Sequence, residues 1–165
     1  MTSQGEERTR HPERDRLEGL MRGELPRTEA QTAVRHLLNA LARETPVEVR
    51  LDIGSLPGRL DSTVEAIAFR SISELIAHVR THAEAQQVVI SLSADDGRLR
   101  AEVLDDGRGF NLEQALERAR ATNHLGLEAL TERIDAAGGS VEIVTSPGDG
   151  TRVSLSLPLR TASAA

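Results

Sequence analysis

The stretch that most constrains this 165-residue chain runs from Val103 to Phe110 and reads VLDDGRGF. A short apolar run breaks into Asp105, Asp106, Gly107 and Gly109, the pattern of a strand that ends in a loop. Glycines two apart let the backbone take positive φ and come close to a ligand, and a carboxylate at the end of a strand can accept a hydrogen bond from an exocyclic amine. Taken alone, the octapeptide reads first as an Asp-Gly surface turn.

The flanking segments supply a sheet and helices around that loop. Val47 to Ile53 alternates apolar and charged residues as a half-buried strand does, and Gly54 to Gly58 with Pro57 makes a loop. Asp61 or Ser62 can cap the next helix, with Glu65 at capping-box spacing from Ser62. The periodicity carries that helix to about His82, with Val64, Ile67, Ala68, Ile72, Leu75, Ile76 and Val79 on its buried face. Gln87 to Ala94 and Leu99 to Leu104 read as a hairpin turning at Asp95-Asp96-Gly97. Asn111 to Ala121 is helical, with Glu113, Glu117 and Arg120 outward, and a further helix beginning near Gly126 stops at Gly138-Gly139. Ser140 to Thr145 and Arg152 to Leu157 form a last hairpin.

Upstream of the first strand, residues 1–16 lack hydrophobic periodicity and read as a disordered tail, in which His11 is a solvent-exposed residue. Over residues 17–44 apolar side chains recur at helical intervals with a break at Pro26, and residues 161–165 read as a second tail.

Composition removes several function classes. There is no cysteine, so neither a disulfide framework nor a thiolate metal site is available. Phe69 and Phe110 are the only aromatic residues, which excludes a stacking platform for single-stranded nucleic acid. All 20 basic residues are arginines scattered among 26 acidic ones, and a net charge of −6 without a basic stripe argues against nucleic acid as a partner. No apolar run approaches a membrane span, and a cytoplasmic location is expected.

The helix segment FRSISELIAHVRTHA (Phe69 to Ala83), the Asp105-Asp106-Gly107-Arg108-Gly109 loop, Asn123-His124-Leu125-Gly126-Leu127, and Gly148-Asp149-Gly150-Thr151 follow one another in the order of a known set of nucleotide-binding boxes. Over residues 45–160 the chain resembles the histidine kinase and Hsp90-like ATPase superfamily, the Bergerat fold, and within it the catalytic domain of NarL-partner-type sensor histidine kinases. The resemblance implies an α+β fold, a two-layer sandwich of mixed or antiparallel sheet with helices on one face. It implies ATP and Mg2+ as ligands. Asp105 would accept the adenine amino group, Gly107 and Gly109 would let the loop pass the base, and Asn123, Gly126 and Leu127 would meet phosphate at a helix N-terminus. Thr151, after Gly150, would help to hold a water on the base, and Glu74 would serve as base or orienter. Residues 17–44 would be the end of a dimerisation region. The acceptor would be a histidine on another chain, with a phosphotransfer domain or response regulator as partner.

Three departures accompany the resemblance, the first being Asn123 where relatives usually carry a glycine. His78 stands where the family has the asparagine that holds Mg2+, and imidazole nitrogen is a poor substitute for amide oxygen on that ion. Water completion of the shell, a softer metal, and binding without turnover remain open. No phosphoacceptor-histidine motif is present in the chain. A catalytically inactive nucleotide-sensing or partner-docking domain and an anti-sigma-factor-like serine kinase are the alternative functions. Arg118 or Arg120, on the helix where the family keeps its lid, can reach a phosphate.

Overall fold

Alternating sequence patterns become one five-stranded sheet in the computed structural model, which describes residues 35–36, 38–40, 42–44, 46–57, 60–122 and 126–159. The strands are β1 (Glu48–Ile53), β2 (Gln87–Asp95), β3 (Arg98–Asp105), β4 (Ser140–Thr145) and β5 (Thr151–Pro158), in the spatial order β1-β2-β3-β5-β4. β1 runs parallel to β2 and every other pair is antiparallel, so the sheet is mixed. The parallel pair requires a crossover, and the helix between them supplies it.

That helix, α1 (Ser62–His78), starts at Asp61, whose carboxylate accepts the N–H groups of Thr63 at 2.8 Å and Val64 at 3.3 Å. The cap therefore falls on Asp61 and not on Ser62. The α-helix also ends earlier than the periodicity suggested. At His78 it passes into a π-helical turn, Val79–Ala83, which closes on Glu84 in the left-handed region at φ 50°. Single π turns of this kind concentrate at functional sites.

The sheet has one buried face. Val88, Ile90, Leu92, Leu99, Ala101, Val103, Val153, Leu155 and Leu157 are all 5 % exposed or less and pack under α1, where Val64, Ala68, Ile72, Leu75, Ile76 and Val79 form the matching stripe. Each such aliphatic residue contributes about 1.5–3 kcal/mol through burial. The opposite face is polar, as the cross-strand row Ser91, Glu102, Ser154, Glu142 shows. Two layers result, as the resemblance implied.

Asp96 and Gly97 turn the β2–β3 hairpin with φ of 48° and 71°, the pairing of positive angles that a two-residue hairpin demands. Helix α2 (Leu112–Thr122) buries no residue, whereas α3 (Gly126–Ala136) docks through Leu130 and Ile134. α3 ends in a Schellman arrangement: Gly139 N–H donates to Ile134 C=O at 2.9 Å, Gly138 N–H to Asp135 C=O at 2.9 Å, and Gly138 has φ 78°. Residues 35–36, 38–40 and 42–43 are helical, and Leu38, 1 % exposed, joins the core. The tails 1–16 and 161–165, His11 and the break at Pro26 lie outside the described residues.

Candidate functional site

β3 carries Asp105 to the end of the sheet, opposite Thr151 on β5, and leaves both inside, 5 % and 8 % exposed. The Asp105 carboxylate accepts the Gly107 N–H at 2.8 Å. Burial raises its pKa above the ordinary value, the Gly107 N–H opposes the rise, and the charge of Asp106 adds to it. Asp106 faces the other way. Its carboxylate caps the start of β2 by accepting the N–H groups of Gln86 at 2.8 Å and Gln87 at 2.9 Å, and those bonds, Gln87 foremost, lower its pKa.

The loop beyond is stitched to both neighbours. Arg108 N–H donates to Ala83 C=O at 2.8 Å, Gly148 N–H to Arg108 C=O at 2.7 Å, and Phe110 N–H to the Thr145 hydroxyl at 3.2 Å. Thr145 in turn donates to Gly150 C=O at 2.9 Å and lies 3.0 Å from the Thr151 hydroxyl. The two glycines here work by different means. Gly109 sits at φ 58° against the Ser146 carbonyl, whereas Gly107 lacks a positive φ and is required because a Cβ would strike the Ala83 carbonyl. Both close approaches are to protein backbone.

Between this loop, the end of α1, α2 and the start of α3 lies a cavity of about 610 Å³, within the range of small-molecule sites. His78, His82, Arg108, Phe110, Arg118 and Leu127 line it, and so do Gly109, Gly126 and Thr151. Asp105 lies just behind, on a void of about 10 Å³ that shares His78, Phe110, Leu127 and Thr151 with the cavity wall. Gly126 opens α3, and no described residue lies within 4 Å of a Cβ built there. Asn123 lies outside the described residues. Of the two arginines on α2, Arg118 lines the cavity, while Arg120 donates to Glu128 at 2.9 Å.

Phe110 was not singled out from the sequence as a site residue. Its ring meets His78 edge-on with centroids 6.1 Å apart, between the cavity and Asp105. Its rarity was the available signal, since the chain has only two aromatics.

The helical face of Glu74, His78 and His82 is divided. Glu74 does not line the cavity: Arg133 of α3 holds it in a bidentate pair at 3.1 Å and 3.1 Å, and Arg70 adds a bond at 3.2 Å. A carboxylate so engaged joins α1 to α3, outside the cavity wall that a base or orienter was expected to share. His78 and His82 turn to the cavity with ring centroids 5.1 Å apart. Burial, and then the neighbouring His82, lower the His78 pKa, favouring neutral imidazole.

Mg2+ demands near-octahedral oxygen ligands. The side chain at the expected metal position is the imidazole of His78, and the carboxylates around it are occupied, Glu74 by Arg133 and Glu128 by Arg120. Among the described residues no cluster of three His, Cys, Asp or Glu side chains is placed to hold an ion. The donor set does not fit Mg2+.

Several known proteins share this architecture. The blue-light-activated histidine kinase of Erythrobacter litoralis matches with a TM-score of 0.63 at 19 % identity, over 92 % of this chain and 49 % of that one. The histidine kinase AdeS of Acinetobacter baumannii matches with a TM-score of 0.60 at 16 % identity, over 90 % and 76 %. Both show the fold. The full-length ShkA structure in complex with AMPPNP is 26 % identical with a TM-score of 0.58, over 90 % of this chain and 31 % of that one. In sequence, the sensor histidine kinase LiaS of Bacillus subtilis is 28 % identical over 123 residues, 74 % of this chain and 32 % of LiaS. ComP of the same organism is 28 % identical over 127 residues, 77 % of this chain and 16 % of ComP. The chain thus spans a third or less of the length of these curated relatives. Among the described residues no helix is long and apolar enough to cross a membrane. Residues 63–161 match the profile of the histidine kinase-, DNA gyrase B- and HSP90-like ATPases, and the chain belongs to that family.

Proposed function

We propose that the chain binds an adenine nucleotide, base toward Asp105 and phosphates toward α3, and presents the γ-phosphoryl group to a histidine on another polypeptide in a phosphorelay. The observation that carries this reading is a buried carboxylate, Asp105, beside a cavity whose far wall includes Gly126 and Leu127 at the start of an 11-residue helix. A carboxylate accepts from the 6-amino group of adenine and finds only an acceptor oxygen at that position of guanine. The unpaired polar group costs about 1–3 kcal/mol. Thr151, ordered by Thr145 and Gly150, stands beside Asp105 as the second polar group at the base. Phosphates lie between Arg118 and the N–H groups of Gly126 and Leu127, where charge-assisted bonds and the helix dipole act together. Transfer breaks the bond between the γ-phosphorus and its bridging oxygen, forms a phosphorus–nitrogen bond on the acceptor, and leaves ADP. That ShkA was crystallised with AMPPNP supports the choice of ligand. In this reading residues 45–160 are the nucleotide-binding domain and the helical residues before β1, anchored by Leu38, are the end of a dimerisation region.

Titration with ATP and GTP tests the assignment. ATP binding that outcompetes GTP and is lost in Asp105→Ala is the expected result; equal binding of both nucleotides, or an unaffected variant, rejects it. A second reading, nucleotide sensing or partner docking without turnover, is favoured by the Arg133 clamp on Glu74 and by His78. Phosphate appearing on a purified histidine domain or response regulator separates the two.

A further inference from the structure

The mismatch with Mg2+ points to a different ion. We propose that His78 and His82 form a two-imidazole chelate for a borderline divalent metal of the Zn2+, Co2+ or Ni2+ class. Residues four apart on a helix are neighbours on its surface, and both rings open onto the same cavity. With metal–nitrogen bonds of about 2.1 Å at a tetrahedral angle, two coordinated imidazoles hold their centroids about 5 Å apart. The observed separation is 5.1 Å. Among the described residues no hydrogen bond or ion pair engages either imidazole, and the Phe110 ring meets His78 edge-on. Imidazole nitrogen suits these metals and not Mg2+. The remaining positions of the shell are taken by nucleotide phosphate oxygens and water, and this last part rests on the nucleotide reading above.

The experiment uses the full chain in two arms. In the first, Zn2+, Co2+ and Mg2+ are titrated without nucleotide, by calorimetry and by the visible absorption of Co2+. One Zn2+ or Co2+ per chain is expected, weakened at least tenfold in His82→Ala and in His78→Asn and unchanged in His36→Ala, with no competition from Mg2+. His82 is exposed, so its truncation leaves the core untouched. Native affinity retained in His82→Ala, or equal competition by Mg2+, overturns the chelate. In the second arm, Zn2+–ATP and Mg2+–ATP are compared. Zn2+–ATP binding at least tenfold tighter in the native chain, with the preference lost in His82→Ala, supports the shared shell, and equal binding overturns it. If neither form of ATP binds, the nucleotide reading fails while the first arm still decides the chelate.

Discussion

At one end of the cavity Asp105 and Thr151 are 5 % and 8 % exposed, and the loop after Asp105 is bonded to the π turn, to β4 and to the turn before β5. At the other end α2 buries no residue, Arg118 of α2 lines the cavity, and α3 opens at a glycine with no described residue within 4 Å of its Cβ position. In the proposed reading the base end is bonded into the fold, so its ordering cost is met during folding, and the phosphate end leaves that cost to binding. The departures from the family pattern also divide unevenly. Asp105, Gly107, Gly109, Gly150 and Thr151 keep the pattern, while His78 changes the phosphate end.

The sharpest way to break this contrast is to disturb the fixed end. Gly109→Ala puts a side chain at φ 58° into the Ser146 carbonyl, and a stability loss of roughly 2–5 kcal/mol is expected in urea denaturation. A variant as stable as the native chain shows that the loop is not rigid. Next in size, Asp105→Ala should weaken ATP binding by about 1–3 kcal/mol, a factor of roughly 5–150, in an equilibrium titration.

Asp105→Asn probes the same residue through pH. Its folded pKa is raised, so the stability it contributes is present below the unfolded value and lost as pH rises through the folded one. At pH 7 the charged group is a burden on the fold. The Asn variant is therefore expected to be more stable than the native chain at neutral pH, with the gain shrinking as the pH falls through the raised folded pKa and gone below the ordinary carboxylate value. A gain independent of pH, or a loss at neutral pH, removes the claim that burial strains this carboxylate.

A smaller effect is expected between the two ends. Arg133→Met uncouples α1 from α3; because Glu74 is 40 % exposed, solvent screens the pair and about 1 kcal/mol of stability is at stake. Unchanged ATP affinity in that variant supports a bracing role for Glu74, whereas a large loss of turnover with stability intact restores it as a base. Smallest of all, Gly126→Ala should alter stability by less than about 0.5 kcal/mol, since the position is open, while still lowering ATP affinity if phosphate approaches that backbone.

Local patterns were legible in the chain because their causes are local. Period-two alternation located all five strands to within about two residues. Asp96-Gly97 announced its turn, and Gly138-Gly139 announced the end of α3. What escaped the sequence depends on partners far along it. The clamp on Glu74 comes from Arg133, separated by 59 residues, and no periodicity reveals it. The parallel pairing of β1 with β2 is likewise a tertiary fact, since an edge strand alternates in either direction. The π turn hides inside a pattern that suits an α-helix equally well over five residues.

That turn has a further consequence. Five residues wound more widely than an α-helix deliver the Ala83 carbonyl to the Arg108 N–H at 2.8 Å, the tie between the histidine-bearing helix and the base loop. Deleting Arg80 or Thr81 would let the helix tighten, swing that carbonyl aside and cut the tie, with every named site side chain still present. The extra residue is a spacer, and its worth lies in holding two correct halves in register.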